Sequence, residues 1–220
     1  MKTNQLVGGL LALVMLAGSP VVAGPVTNAK KAVAKVTSYT VDTESSQVNW
    51  NGKKVTGEHF GTVKIAKGGL TADGNKLTGG TVDIDLRTMN STDLKDNKEY
   101  HDKLIGHLKS DDFFSVDKYP TATFKITKVN PKGGDQYDVT GDLSIKGKTN
   151  PVTFPATVKV SGNKITANGK ASIDRTKYDI RYGSKSFFAN IGDKAIYDDF
   201  TVELNLVANK GAASASAKTK

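Results

Sequence analysis

Three histidines, His59, His101 and His107, are the side chains of this protein that ordinarily titrate near neutrality, which makes them the first candidates for proton transfer or metal binding. His59 lies in the run Val55-Thr56-Gly57-Glu58-His59-Phe60-Gly61-Thr62-Val63-Lys64-Ile65 and shares parity with Val55, Val63 and Ile65. In a strand it therefore points to the apolar face, and parity turns Glu58 outward. Gly57 and Gly61 flank it on that face and leave space around the imidazole. The pattern fits either a polar feature inside a cavity or a core histidine satisfied by a neighbouring strand, with the glycines marking a bulge or bend. A general-base role for His59 would need a second positioned group. His101 and His107 sit six residues apart on a predicted helix, about 240° around it, so they share no face and form no metal pair by themselves. A site joining His59 to either one requires the helix to cover the same end of the sheet. Arg175, after Asp174, offers a guanidinium fork suited to an anionic head group or to a salt bridge with a nearby carboxylate. No His-Glu-x-x-His, Gly-x-Ser-x-Gly or phosphate-cradling glycine loop occurs, so the usual zinc-protease, hydrolase and nucleotide-binding signatures are missing.

The elements that must position these residues are strands. Apolar residues recur with period two at Val48 and Trp50; at Val82, Ile84 and Leu86; at Ala122, Phe124 and Ile126; and at Val139, Gly141, Leu143 and Ile145. The alternation continues through Val152, Phe154, Ala156, Val158 and Val160, through Ile165 to Ile173, and through Phe200, Val202, Leu204 and Leu206. Turn signals at Asp73-Gly74-Asn75, Asn130 to Gly134, Lys146-Gly147-Lys148 and Ser161-Gly162-Asn163 separate the runs, which predicts an antiparallel meander with one buried face per strand. About eight such strands close into a barrel or stack as a sandwich, and periodicity does not choose between them. From Asp96 to Ser110 the spacing of Tyr100, Leu104, Ile105 and Leu108 predicts one helix, with Asp96 and Glu99 resembling a capping box. The adjacent Phe113 and Phe114 that follow cannot share a strand face and predict a loop or plug at an open end of the β structure.

Composition sets the frame. Lys2, the apolar run Leu6 to Ala17 and the small-residue stretch ending at Ala23 predict a secretory signal peptide over 1–23, too short to span a bilayer comfortably, and hence a periplasmic or secreted protein. Residues 24–37 and 211–220 read as a flexible N-terminal segment and a disordered tail around a domain spanning 38–210. The chain has no cysteine, so a packed core rather than disulfides must stabilise it. The 31 Lys+Arg against 22 Asp+Glu are spread beside turn residues, which favours a solvated basic surface over a nucleic-acid partner.

Three stretches carry a further signal. Gly106-His107-Leu108-Lys109-Ser110-Asp111-Asp112-Phe113-Phe114 leads to Lys118-Tyr119-Pro120-Thr121-Ala122-Thr123-Phe124; Gly141-Asp142-Leu143-Ser144-Ile145-Lys146-Gly147-Lys148-Thr149 leads to Pro151-Val152-Thr153-Phe154; and Ile173-Asp174-Arg175-Thr176 follows. Each resembles a signature of the YceI-like family of exported bacterial lipid-binding proteins, and the resemblance covers roughly Ser38 to Lys210. The chain departs from the family at Tyr178-Asp179-Ile180, where many members carry Gly two residues after an aromatic. The resemblance implies an all-β fold, an eight-stranded antiparallel lipocalin-like barrel with one short helical insertion. It also implies an elongated apolar pocket for a long-chain amphiphile such as a polyisoprenoid, an isoprenoid quinone or a fatty amide. On that reading the protein is a carrier rather than an enzyme, needs no metal or resident cofactor beyond a bound quinone or lipid, makes transient membrane contact, and has an open mouth able to pair with a second copy. Inward parity then assigns the lining to Val63, Ile84, Phe124, Leu143, Phe154, Val158 and Leu204, with Phe113 and Phe114 at one end and His59 and Arg175 available to a head group. The rival readings are an enzyme acting on an apolar substrate with His59 as base, and an interaction module whose barrel is filled and dry.

Overall fold

The computed structural model describes residues 36–211; the predicted signal peptide, most of the predicted flexible segment and nearly all of the predicted tail lie outside the described residues. The strands are β1 (Val36–Val41), β2 (Gln47–Lys54), β3 (Gly57–Asp73), β4 (Lys76–Ser91), β5 (Thr121–Gly133), β6 (Gln136–Ile145), β7 (Lys148–Ser161), β8 (Lys164–Asp174) and β9 (Ile196–Lys210), with one helix, α1 (Lys98–Lys109), between β4 and β5. The first strand starts at Val36, inside the segment expected to be flexible, and pairs with Asp73.

The sheet runs β3-β2-β9-β8-β7-β6-β5-β4 and closes on itself through β3–β4 pairing, which makes an antiparallel barrel of eight staves. This resolves the choice that periodicity left open. β1 continues the stave of β2: both run antiparallel to β3 and β9, with Tyr39 opposite Leu70 and Lys210, and Trp50 opposite Gly61 and Val202. The stave breaks where the Asp42 carboxylate accepts from the Glu44 and Ser45 amides, a side-chain-closed turn. Ser46 Oγ bridges the break, accepting from the Val207 amide at 3.0 Å and donating to the Val207 carbonyl at 3.3 Å.

The hairpin turns at one end of the barrel are as short as chain geometry permits. Gly74-Asn75, Gly134-Asp135 and Gly162-Asn163 join Asp73 to Lys76, Gly133 to Gln136 and Ser161 to Lys164, with the three glycines at φ of 60°, 55° and 56°. The predicted turn over Asn130–Gly134 is thus shorter than expected, because β5 runs on through a register shift at Pro131 to Gly133. With no long connection at this end to cover them, inward side chains must fill the space themselves, and they do. Tyr39, Leu70, Leu77, Tyr137, Val158, Ile165 and Leu206 are all buried.

The opposite end carries both long connections, α1 with its sequel and the segment between β8 and β9. The helix cap is Asn97, whose side chain accepts from the Tyr100 amide at 3.2 Å, rather than Asp96. Tyr100, expected on the apolar face, is 60% exposed, while Ile105 is buried and Leu104 and Leu108 are half-buried. After α1 the chain folds back on the helix end through Phe114 N–H to the Leu108 carbonyl and Val116 N–H to the Lys109 carbonyl. The expected aromatic plug is this turn, with Phe113 buried and Phe114 half-buried.

Candidate functional site

A cavity of about 600 Å³ occupies the covered half of the barrel, within the range of about 300–1,000 Å³ typical of small-molecule sites. Its lining is apolar on every stave: Trp50, Val63, Ile84, Leu86, Met89, Phe124, Leu143, Val152, Phe154, Ala171, Ile173, Phe200, Val202 and Leu204 among others, roofed by Leu104, Leu108, Phe113 and Phe114. Trp50, Ile84, Phe124, Phe154, Phe200, Val202 and Leu204 point inward yet remain only half-buried. Space in the barrel, not exposure outside it, accounts for that.

Phe124 and Phe154 lie 5.5 Å apart, tilted by 49°, at the middle of the barrel. Each ring leans over a glycine on a neighbouring stave: a Cβ on Gly141 would come within 2.4 Å of Phe124 Cζ, and one on Gly169 within 2.8 Å of Phe154 Cε2. Beyond these rings, Val139, Ala156, Val158 and Ala167 are packed and take no part in the lining. The two rings form the cavity floor.

Of the residues expected from sequence, Val63, Ile84, Phe113, Phe114, Phe124, Leu143, Phe154, His59, Arg175 and Leu204 all border this one cavity. Val158 does not; it is 2% exposed in the packed half, one strand turn past the floor. Trp50, Val152, Phe200 and Val202 belong to the lining and share parity with Val48, Phe154 and Leu204, so the period-two signal that found their neighbours also marks them.

His59 is held by a group no local pattern announces. Its Nδ1 lies 2.7 Å from Asp93 Oδ2, while Asp93 Oδ1 accepts from Ser91 Oγ at 2.7 Å and the Phe60 amide at 3.1 Å. Burial pulls the Asp93 pKa upward, but the hydrogen bonds from His59, Ser91 and the Phe60 amide outweigh it and hold the carboxyl below its ordinary range. The carboxylate fixes the Nδ1–H tautomer and leaves Nε2 as the imidazole's free edge among the described residues. The space expected at Gly61 is taken instead by β4: a Cβ there would sit 1.9 Å from the Asn90 carbonyl oxygen, just before the β3–β4 register shifts between Thr62 and Lys64. Gly57 does face open space. Glu58 pairs outward with Lys53 at 3.6 Å.

Arg175 borders the cavity with four of its five N–H donors given to backbone carbonyls. Its Nε donates to the Tyr197 carbonyl, Nη1 to those of Ile180 and Tyr182, and Nη2 to that of Ile196, all at 2.8–3.1 Å. Nη2 also lies 3.3 Å from Asp198 Oδ1. Burial pushes the guanidinium pKa down, and the Asp198 and Asp174 charges oppose that. Its fork engages backbone carbonyls, a partner that neither the head-group nor the carboxylate expectation named, with the Asp198 carboxylate beside it. The same clamp shapes the departure at Tyr178-Asp179-Ile180: Asp179 turns the chain at φ 59° and Ile180 is fully buried. The Tyr178 hydroxyl is buried without a hydrogen-bond partner among the described residues, and its pKa is pushed up to about 12, first by burial and then by Asp174. His107, on α1, faces the same cavity as His59, stacks edge-on against Phe113 and Tyr182 at 4.9 and 4.6 Å, and bonds Asp112 at 3.0 Å. His101 instead bonds Asn90 at 2.9 Å.

Comparison with known proteins agrees with this architecture. The YceI-like domain profile matches residues 39–208, nearly the whole barrel. The chain belongs to the YceI-like family. A UPF0312 protein of Pseudomonas putida is 35% identical over 147 residues, 65% of this chain and 73% of the relative. Protein YceI of Shigella flexneri is 41% identical over 97 residues, 44% and 47% of the two chains. Among solved structures, BcnA of Burkholderia cenocepacia superposes with a TM-score of 0.62 at 28% identity, over 77% of this chain and 99% of that one. A polyisoprenoid binding domain from Saccharophagus degradans shares the fold, with a TM-score of 0.56 at 17% identity over 79% and 98% of the chains.

Proposed function

We propose that this YceI-like protein is an exported, non-catalytic carrier or sequestering protein that holds the chain of a long amphiphile, a polyisoprenoid, isoprenoid quinone or fatty amide, in its barrel. The observation that carries the reading is the hollow half of the barrel: apolar side chains from all eight staves surround a volume that no side chain among the described residues fills. Burial is worth about 0.8 kcal/mol per CH₂, so a five-carbon isoprene unit would contribute on the order of 3–4 kcal/mol before ordering costs. A few units suffice for tight binding, and release then depends on an acceptor. A ligand of the class named for the Saccharophagus degradans domain has the apolar length such a lining favours. His59 is the head-group contact in this reading, because Asp93 aims its free Nε2 edge toward a carbonyl or phosphate oxygen and supplies the counter-charge when the imidazole is protonated.

Mass spectrometry of an organic extract from the purified protein tests the proposal. A long-chain amphiphile in stoichiometric amount is the expected outcome; an empty extract with no uptake of added polyprenol overturns it. Retention of the same lipid to the same degree by His59→Phe removes the head-group role. The His59–Asp93 pair favours one second reading, a general base oriented by a carboxylate. That reading requires the extracted ligand to be converted to a new mass on incubation, with the conversion lost in Asp93→Asn.

A further inference from the structure

The segment between β8 and β9 places a cluster of aromatic rings in water beside the cavity mouth. Phe187 and Phe188 are 46% and 49% exposed, and Tyr182 and Tyr197 are 46% and 55% exposed. Tyr182, Lys194, Ile196 and Tyr197 border the cavity, so the cluster is continuous with its rim. The exposure is built in. The Phe187 and Phe188 amides both donate to the Ser184 carbonyl, at 3.2 and 3.0 Å. The Ser186 amide donates to Ser184 Oγ at 3.1 Å, Ser186 Oγ donates to Asp198 at 2.6 Å, and the Ile196 amide ties back to the Gly183 carbonyl at 2.8 Å. Ser184, at the centre of these bonds, is fully buried. A turn anchored in this way holds its two phenylalanines outward.

Charge around the cluster is biased toward the positive. The Arg181 guanidinium stacks 4.7 Å over the Phe187 ring and pairs with Asp179. Lys54 and Lys194 border the mouth and Lys185 is exposed in the same segment as the phenylalanines, none of them with an ion-pair partner among the described residues, against Asp193 and Asp199 on the rim. Exposed aromatics interleaved with basic side chains are the chemistry of an interface between water and an anionic lipid headgroup layer, where rings enter the acyl boundary and ammonium groups meet phosphate.

We propose that the Tyr182–Tyr197 segment is a membrane-docking tip that seats the cavity mouth on an anionic bilayer surface, so that an apolar chain passes between lipid and barrel without crossing water. The partner is a lipid surface, and the inference rests on the carrier reading only for what passes through the mouth. Phe187 and Phe188 take no part in the cavity lining, so their removal separates docking from loading.

The test compares the wild-type protein with a Phe187→Ser/Phe188→Ser double variant and with Lys185→Glu, all carrying the same N-terminus so that any contribution of residues 1–35 cancels. Cosedimentation uses vesicles of phosphatidylethanolamine and phosphatidylglycerol, with phosphatidylcholine vesicles as the uncharged comparison. The double variant is expected to bind the anionic vesicles about tenfold more weakly. Lys185→Glu and added salt both weaken wild-type binding in the same direction. Transfer of a fluorescent polyprenol from vesicles slows in the double variant, while its loading from detergent micelles is unchanged. Equal vesicle affinity and equal transfer rates in wild type and double variant overturn the docking tip and leave the carrier reading standing. Vesicle binding sensitive to both phenylalanines, with no polyprenol loaded by either route, leaves the tip standing and overturns the carrier. A change of oligomeric state on removing the phenylalanines, with no vesicle binding by the wild type, assigns the patch to a second copy and overturns the lipid partner.

Discussion

The two halves of the barrel use the same staves and the same period-two alternation, yet one is packed and the other hollow. In the packed half, three tight hairpins leave no cover, and the side chains of Tyr39, Leu70, Leu77, Tyr137, Ile165 and Leu206 meet across the axis. In the hollow half, two long connections supply a roof, so inward residues need not touch one another. Stability there comes from a different source. The Arg175 guanidinium gathers two carbonyls of the segment between β8 and β9 and two from the start of β9, and Asp93 ties the end of β4 to His59 and the Phe60 amide. One half is held by dispersion and water exclusion, and the other by directional polar bonds around a space. The lesson is that a binding cavity in a small barrel requires polar scaffolding to replace the packing it gives up.

The largest expected effect tests whether the clamp is indispensable. Arg175→Met leaves buried carbonyls and Asp198 without their partner and should lower stability by about 3–5 kcal/mol, read by urea unfolding; a loss within that of an ordinary surface change would show that the hollow half holds without it. Next, Ile165→Ala in the packed half should cost about 2–5 kcal/mol while leaving the extracted-lipid profile unchanged. Leu204→Ala, which truncates a side chain already facing the cavity, should cost less, about 1–2 kcal/mol, and shift the bound lipids toward bulkier or longer chains. If the two truncations cost the same, the contrast between the halves is wrong. Phe124→Trp raises the floor and should shorten the chains recovered, at about 1–3 kcal/mol of stability for the added volume; an unchanged profile counts against the floor assignment. The smallest effect is in acid. Because the folded Asp93 pKa lies below its ordinary value, this carboxylate stabilises the protein at pH above that ordinary value. The contribution is lost as pH falls through the folded pKa, so the stability gap between wild type and Asp93→Asn should close as pH drops below about 4.

Much of this contrast is written in the chain. Alternation and turn residues are local, and they place Val63, Ile84, Phe124, Leu143, Phe154 and Leu204 on the inner face because a strand's side chains alternate whatever it pairs with. The same alternation put Val158 with the lining, since parity reports the face and is silent on depth along the barrel. The Phe113-Phe114 plug was legible because adjacent aromatics cannot share a strand face. Asp93 was not: it lies 34 residues from His59 and meets it only because β3 and β4 pair. Tyr182 and Ile180, whose carbonyls receive Arg175, were equally silent, since backbone acceptors carry no sequence signature.

By itself, then, the sequence determined the strands, their inner faces, the helix α1 and, through three motifs, the family. The tertiary structure alone decided which half of the barrel fills, where the floor lies, and that Arg175 faces carbonyls while His59 faces space. The physical reason is one of range. Period and turn chemistry act within a few residues, whereas filling depends on the summed volume of side chains brought to one level by eight separate staves, and a hydrogen-bond partner is chosen only after those staves are in register.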